Sequence, residues 1–305
     1  MSKSPFSSTA FRDAVKNGRL AVVTRQNYES RLSTMQHETG NTVHHMVRHP
    51  SETYQAILRK SADVPQTIRS YLTAFMAVFK HDPKLASRKQ DEYQKFRSYF
   101  RKVDKVVQER YDNNEPNDKQ REAYIPLNDV IQKRDQLLAD SPEYLVLCLY
   151  TMIPPLRADF GNVRILSREP QGAAASTGNY LVVREKYMRL VLNEFKSKSK
   201  SLSQYNKVLP VNLEAVIRHS LSNQPRSHLI VSPRTGLPFL RDNTYVVHVH
   251  RIMERAIGKK VSISMLRHIY VNSLDYNKMT SGQKAQISAD MLHSVSTNDR
   301  YRLHF

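Results

Sequence analysis

The sequence predicts two domains, an all-α N-terminal domain followed by a mixed α+β domain that is mainly helical and contains a small antiparallel sheet. The length of 305 residues suits two domains of ordinary size. Apolar residues recur at helical spacing through the first third of the chain, whereas residues 160–210 contain the short apolar runs that are typical of strands. A polar segment at residues 112–123 lies between the two patterns and is predicted to be a linker.

The N-terminal domain is predicted over residues 21–111, after a flexible arm at residues 1–20. One helix begins near Thr24, and a second begins at Pro65, because proline suits the first turn of a helix. A third helix, amphipathic and very basic, is predicted over residues 88–110.

Aromatic residues of the second helix have a plain structural interpretation. Phe75 and Phe79 lie four positions apart, on one face of the helix. We therefore assign both to the core of the domain.

The C-terminal domain is predicted over residues 124–305. Helical patterns and short strands alternate there, and the run SKSKSLSQY marks a hairpin turn between the last two strands. The predicted helices cover residues 127–139, 142–152, 212–222, 242–257, 264–275 and 284–293, and the predicted strands cover residues 181–183, 188–195 and 207–211.

The charge of the chain predicts a polyanionic partner. The formal net charge is +19, and the basic residues are spread over the whole sequence. Such an excess favours nucleic acid over a membrane surface, because a membrane anchor concentrates its basic residues on one amphipathic segment. No run of about eighteen apolar residues predicts a membrane span.

Cysteine usage indicates a reducing compartment. Cys148 is the only cysteine, and it lies in the apolar run YLVLCLY. An intramolecular disulfide is therefore impossible, and we interpret Cys148 as a small core residue. The N-terminus lacks an apolar signal core, so we expect an intracellular protein of the cytoplasm or nucleus.

Metal and nucleotide sites are not predicted. His44, His45 and His49 form a cluster, but adjacent histidines point in different directions on a helix, and no cysteine or acidic residue has obvious ligand spacing. With only eight glycines, the chain offers no glycine-rich phosphate loop. We therefore expect no metal and no cofactor.

Five polar residues of the C-terminal domain are candidates for phosphate chemistry. Taken singly, each has an ordinary role, such as helix-face ion pairing, packing or solvation. An ion pair with Asp159 or Glu143 is one such role for the arginine that follows Pro-Pro. The set, in chain order, is Arg157 in PPLR, Lys196 in EFKSKSKS, Arg267 in LRHIY, His293 in MLHS and Tyr301 in NDRY.

In order and context, this set resembles the tyrosine recombinases, the phage-integrase family that shares its catalytic domain with type IB topoisomerases. The phrases PPLR and LRHIY are most similar to recombinases of eukaryotic DNA viruses and mobile elements. The resemblance covers residues 124–301, and the helical N-terminal domain resembles the family's core-binding domain less specifically. It implies a double-stranded DNA partner, a homotetramer acting on two DNA sites, and no cofactor.

The resemblance also implies a role for each residue. Tyr301 would attack the scissile phosphate to form a 3′-phosphotyrosyl bond. Arg157 and Arg267 would clamp the non-bridging oxygens, since the guanidinium fork is always charged. Lys196 would protonate the leaving 5′-oxygen, and His293 would hydrogen-bond the phosphate.

The chain departs from the family at several positions. Ser264 occupies the place of a histidine three residues before Arg267, so water or His268 is an alternative proton acceptor. Leu292 replaces a glycine, and Lys198 is an alternative to Lys196, as is Lys200. Four residues follow Tyr301, fewer than the segment that many members donate to a neighbouring subunit, which implies coupling elsewhere or a longer natural chain.

Two alternative functions follow from the same sequence. Type IB topoisomerase-like DNA relaxation uses the same chemistry in a monomer. A non-catalytic DNA-binding protein with a degraded recombinase site is the second alternative, and Ser264 and the short C-terminal tail are its main support.

Overall fold

The computed structural model describes residues 9–198 and 203–305, and the chain divides into two compact units. The N-terminal unit ends at Asn113, and the C-terminal unit runs from Asn114 to Phe305. Among the described residues, the first unit is all helical, and the second is mainly helical with one four-stranded sheet. This confirms the predicted composition of mostly helix with a small sheet.

Several helices of the N-terminal unit begin at a proline or at a side chain that caps the first turn. Proline occupies the first turn of three of them, and the side chains of Thr42 and Asp82 accept backbone N–H groups at two starts. In chain order the helices are α1 (Thr9–Lys16), α2 (Val22–Thr39), α3 (Val43–Arg48), α4 (Pro50–Ser61), α5 (Pro65–His81), α6 (Pro83–Arg88) and α7 (Gln90–Asp112).

The segment predicted as a flexible arm contains α1. Residues 1–8 of that segment lie outside the described residues. The Phe11 side chain is buried, and its ring lies 5.6 Å from that of His81. Burial of this ring attaches α1 to the rest of the unit, so residues 9–16 are helical rather than flexible.

The core of the N-terminal unit is built from stacked aromatic rings. Phe75 and Phe79 of α5 are buried, as their spacing predicted. The Phe75 ring stacks on Phe96 of α7 with centroids 5.3 Å apart, and the Phe79 ring is tilted against the same residue at 6.0 Å. Aromatic contacts of this kind add to the free energy gained by area burial.

The C-terminal unit contains further helices around a sheet. They are α8 (Asp118–Ala123), α9 (Leu127–Asp135), α10 (Pro142–Thr151), α11 (Val211–Asn223), α12 (Asp242–Ile257), α13 (Ile263–Asn272), α14 (Ser281–Asp290) and α15 (Val295–Tyr301). Helix α8 lies inside the predicted linker, where Asn117 and Gln120 form a reciprocal capping box. The polar composition of a short capped helix resembles that of a linker, which explains why periodicity did not distinguish them.

The sheet is mixed rather than purely antiparallel. Its strands β1 (Val163–Leu166), β2 (Asn179–Val183), β3 (Met188–Leu192) and β4 (Tyr205–Val208) lie in the order β1-β2-β3-β4. Strand β1, which was not predicted, pairs with β2 in parallel, while the other pairs are antiparallel. A parallel pair needs a long crossover, here residues 167–178, and such non-local pairing leaves no turn signal in the sequence.

Helix α10 forms the centre of the core of the C-terminal unit. Residues 145–150 of this helix are buried, which accounts for their uninterrupted apolar run. Burial raises the pKa of the Cys148 thiol to about 11, so this cysteine is an inert core residue, as predicted. No helix within the described residues is long and apolar enough to cross a membrane.

Close packing against α12 fixes the segment that follows Arg157. A short 3-10 helix spans Asp159–Asn162, and a Cβ atom built on Gly161 would lie 2.8 Å from the Tyr245 ring. Only glycine allows Tyr245, which is fully buried, to approach this backbone so closely.

The substitution Gly161→Ala is expected to destabilise the C-terminal unit by about 1–3 kcal/mol, because the added methyl group forces Tyr245 out of its packed position. Chemical denaturation followed by near-ultraviolet circular dichroism measures this change. Gly282→Ala in α14 is the matched control, since its new Cβ meets nothing nearer than 3.9 Å. An equal loss of stability in both variants would contradict the packing explanation.

Candidate active site

Helix α13 carries Arg267 into the interior of the C-terminal unit. The Ser262 side chain accepts the Met265 N–H at 3.0 Å and begins the helix. Most residues of this helix are buried, and the side chain of Arg267 is fully buried. A buried guanidinium has to find polar partners inside the protein, because its transfer from water is costly.

The partners of the Arg267 guanidinium come from two distant segments. One terminal nitrogen, Nη1, donates to the Pro155 carbonyl. The other, Nη2, donates to the Met291 carbonyl at 3.0 Å and to Nδ1 of His293. Nε of Arg267 has no hydrogen-bond partner among the described residues. Groups from both segments therefore fix the Arg267 side chain in place.

His293 is held as a neutral imidazole by its two hydrogen bonds. Its Nδ1 accepts from Arg267, so the ring proton lies on Nε2, which donates to Oδ1 of Asn298 at 3.1 Å. Burial and the adjacent Arg267 charge lower the pKa of His293 to about 3. Both ring nitrogens are thus occupied, and His293 orients Arg267.

Leu292 has an unusual backbone conformation next to His293. Helix α14 ends at Asp290, and two residues later Leu292 has a φ of 56°, in the left-handed region that favours glycine. The Cβ atom of leucine opposes this conformation, so the surrounding contacts have to hold it. The Leu292 carbonyl accepts hydrogen bonds from Nη1 of Arg157 at 3.2 Å and from the Ser197 hydroxyl.

Arg157 lies on the loop that follows α10 and the Pro-Pro pair. Its backbone N–H donates to the Asp159 carboxylate at 3.0 Å, and its carbonyl accepts from the buried Tyr150 hydroxyl at 2.8 Å. Its Nη1 also donates to the Ser197 hydroxyl at 2.9 Å. Glu143 pairs with Arg255 at 2.7 Å. Of the two predicted acidic partners, Asp159 contacts Arg157, and it does so through the Arg157 backbone N–H.

Two side chains of helix α13 hold the C-terminal segment in place around Tyr301. Nδ1 of His268 donates to the Tyr301 carbonyl at 2.8 Å. Two residues later, the Asn272 side chain donates to the Leu303 carbonyl and accepts its N–H, at 2.7 and 2.9 Å. These bonds attach the chain around Tyr301 to α13, the helix that carries Arg267.

The Tyr301 ring lies among three cationic or aromatic side chains. It stacks on the His293 ring with centroids 5.2 Å apart and an interplanar angle of 20°, and the His268 ring lies 4.7 Å away. The central guanidinium carbon of Arg267 lies 4.8 Å from the Tyr301 ring centroid. This distance is within the range of a cation–π interaction.

Two arginines act on the Tyr301 phenol. Burial alone raises a phenol pKa, but the charges and hydrogen bonds of Arg267 and Arg157 outweigh it and lower the pKa of Tyr301 below its usual value. A phenol with a lowered pKa reaches the nucleophilic phenolate more easily. The structure therefore brings Arg157, Arg267, His293 and Tyr301 together.

The lysine candidates lie in the connection from β3 to β4. Strand β3 ends at Leu192 rather than at residue 195, so Lys196 lies in the turn that follows, where it is exposed. Nζ of Lys198 donates to the Asn193 carbonyl at 2.8 Å. Lys200 lies outside the described residues. Lys196 and Lys198 both flank Ser197, which contacts Arg157, so Lys196 stays a prediction from the sequence.

Ser264 lies near the start of the helix that carries Arg267. It is exposed in the first turn of α13, three residues before the buried Arg267. His268, the alternative proton acceptor, donates through Nδ1 to a carbonyl, and its Nε2 lies 3.2 Å from Nε2 of Gln120. Burial lowers the pKa of His268, so the ring is neutral and positions the Tyr301 backbone.

Several residues of the site carry no signal in the sequence. Ser197, Asn272 and Asn298 each contribute two side-chain hydrogen bonds, and Gln120 comes from the segment that was predicted to be a linker. Small polar residues are common on surfaces, so their positions alone did not single them out. For this part of the site, the sequence drew attention only to Leu292, as a departure from the family that the chain resembles.

Comparisons with known proteins add little to this geometry. No protein-family model matches the chain, and no curated protein matches its sequence. A crystal structure of XerA recombinase is similar to this chain with a TM-score of 0.42 and 13% sequence identity, over 97% of this chain and 92% of that chain. A likeness at this level carries no argument about function.

The His293 imidazole is expected to stay neutral at pH 5, protonated on Nε2 alone. Its folded-state pKa of about 3 lies below the unfolded value of about 6.5, so acidification protonates the unfolded chain first. Stability therefore falls as the pH drops below about 6.5, by up to about 1.4 kcal/mol per pH unit from this group. Nitrogen-15 chemical shifts of the ring measure the protonation state, and an imidazolium signature at pH 5 would refute the assignment.

Proposed function

We propose that this protein is a site-specific DNA recombinase that cuts and rejoins DNA through a 3′-phosphotyrosyl intermediate. The observation that carries the proposal is the position of the Tyr301 ring, 4.8 Å from the guanidinium carbon of Arg267. The charges of Arg267 and Arg157 also lower the pKa of its phenol. A phenol activated in this way is a nucleophile, and two guanidinium groups beside it suit a phosphate diester. The net charge of +19 is consistent with a nucleic-acid substrate.

The proposed reaction exchanges one phosphodiester for another. The Tyr301 oxygen forms a bond to phosphorus, and the bond from phosphorus to the 5′-oxygen of the DNA breaks. The phenol proton passes to a water molecule, and Lys196 donates a proton to the departing 5′-oxygen. Rejoining reverses these steps with a 5′-hydroxyl from another strand, so the chemistry consumes no ATP.

The buried donors of the site suit a transition state with extra negative charge. Nε of Arg267 is unpaired among the described residues, and a phosphate oxygen would give it an acceptor. The carbonyls of Pro155, Met291 and Leu292 fix the two guanidinium groups before substrate arrives. Preorganised donors of this kind contribute about 10²–10³ in rate each.

Double-stranded DNA is the proposed partner of both units. In the N-terminal unit, helix α7 buries Phe96, Val103 and Val107 and exposes several basic side chains. Exposed cations of this kind bind phosphates independently of sequence. The exposed basic residues of α7 include Lys95, Arg101, Lys102, Lys105 and Arg110.

The biological role of the protein is proposed from its sequence resemblance. By its resemblance to the recombinases of eukaryotic DNA viruses and mobile elements, the protein would integrate or excise such an element. Strand exchange between two DNA sites would require a homotetramer. Divalent metal and cofactors are not needed for the proposed chemistry, which relies on the arginines for charge neutralisation.

The substitution Tyr301→Phe is expected to abolish covalent capture of DNA while duplex binding changes less than threefold, because only the attacking oxygen is removed. Duplexes selected for binding from a random-sequence pool, then nicked near the cleavage position, trap the adduct on a denaturing gel. Tyr187→Phe is the matched control, since Tyr187 also lies under an arginine, with its ring centroid 5.4 Å from the Arg189 guanidinium carbon.

The same assay distinguishes the alternative functions. Adduct formation with strand exchange between two duplexes supports recombination, whereas relaxation of a supercoiled plasmid without partner DNA indicates a topoisomerase. If wild type binds the selected duplexes but never forms an adduct, the protein is a non-catalytic binder and the proposal is wrong.

The substitution Ser264→His is expected to raise the rate of adduct formation about tenfold or more, because it supplies the proton acceptor that the resembling family has at this place. Ser264 is exposed, so a larger side chain fits without disturbing the core. Single-turnover capture rates measure the effect. Ser264→Gln, which has bulk but no titratable group, is the control, and an equal gain in both variants would contradict the acid–base explanation.

A further inference from the structure

A second cluster of polar side chains lies in the N-terminal unit, where α3 meets α4. One ligand atom from each of His45, His49 and Glu52 lies within 4.8 Å of the other two. The sequence argument against a metal site was that no acidic partner had ligand spacing, and the structure supplies that partner as Glu52. We propose that these three residues form a binding site for a divalent transition metal of the zinc class. This proposal does not rest on the proposed function.

The corner between the two helices brings the three ligands together. Helix α3 ends at Arg48, and His49 is both its C-cap and the residue before Pro50, which begins α4. The His49 N–H still donates to the His45 carbonyl at 3.1 Å, so the two histidines stay one turn apart. Glu52, in the first turn of α4, then lies three residues after His49.

Distances among the ligand atoms are close to those of a metal site. Nδ1 of His49 lies 3.9 Å from Oε1 of Glu52, and the ligand atoms of all three residues lie within 4.8 Å of one another. Metal–ligand bonds of about 2.1 Å in a tetrahedron separate the ligand atoms by about 3.4 Å. Side-chain rotations that move the ligand atoms by less than about 1.5 Å would therefore bring them to the separation that a metal ion requires.

The backbone beneath the cluster is fixed. The Thr42 side chain accepts the His45 N–H at 3.1 Å and begins α3. The buried Thr53 hydroxyl donates to the Met46 carbonyl at 2.8 Å, which attaches α4 to α3. A rigid corner of this kind reduces the entropy lost when the ligands converge on a metal.

The surroundings leave room for the remaining ligands of the metal. The three residues line an open cavity of about 490 Å³, and Glu38 and Arg59 also line it. Glu38 is paired with Lys60 at 2.8 Å, so its charge is already neutralised. Among the described residues, the ion pair of Glu52 is the one with His49, at 3.9 Å. Two imidazoles and one carboxylate suit zinc, nickel or copper better than magnesium or calcium.

The test is a titration of the full chain with Zn²⁺ in competition with a chromogenic chelator, at neutral pH. We expect one zinc ion per chain at this site, with binding weakened at least tenfold by His45→Asn and by Glu52→Gln. Cobalt substitution adds a second measurement, since visible absorption reports low-coordinate nitrogen and oxygen ligation.

His44→Asn is the matched control, because His44 is exposed in the same turn but is not one of the three ligands. Zinc affinity within twofold of wild type for His44→Asn, together with the losses above, supports the site. The proposal is overturned if wild type binds no zinc at micromolar concentration. It is equally overturned if Glu52→Gln binds as wild type does, or if His44→Asn loses as much affinity as His45→Asn. Circular dichroism of each variant verifies that the fold is unchanged.

Discussion

Burial of the Arg267 guanidinium is the constraint on which the C-terminal unit depends. A charged group removed from water loses several kcal/mol of hydration, and the protein has to replace it with dipoles at fixed positions. The carbonyls of Pro155 and Met291, the His293 imidazole and the face of the Tyr301 ring provide that replacement. These groups come from segments far apart in the chain, so the site exists only when the whole unit is folded.

The same buried charge sets the protonation of its neighbours. It favours a neutral His293 and opposes the effect of burial on the Tyr301 phenol. Arg157 adds a second positive charge, which is held by the left-handed turn at Leu292. The result is a cluster with two guanidinium groups beside one phenol, and this arrangement supports the proposal of phosphate chemistry.

The two proposed sites differ in how the chain builds them. His45, His49 and Glu52 lie within eight consecutive residues, and a single helix corner brings them together. Such a site requires only local structure, and its ligands remain exposed. The cluster around Arg267, by contrast, requires long-range packing, and its groups acquire shifted pKa values because that packing excludes water.

The sequence by itself determined the long helices, because periodic apolar residues predict α5 and α7 whatever their surroundings. It also singled out Arg267 and Tyr301, since their order and flanking residues resemble those of a known family. The tertiary structure alone decided the parallel pairing of β1 and the hydrogen bonds that hold Tyr301 in place. The reason is physical: helical periodicity is a local property, whereas crossover pairing and single side-chain hydrogen bonds depend on residues that only folding brings into contact.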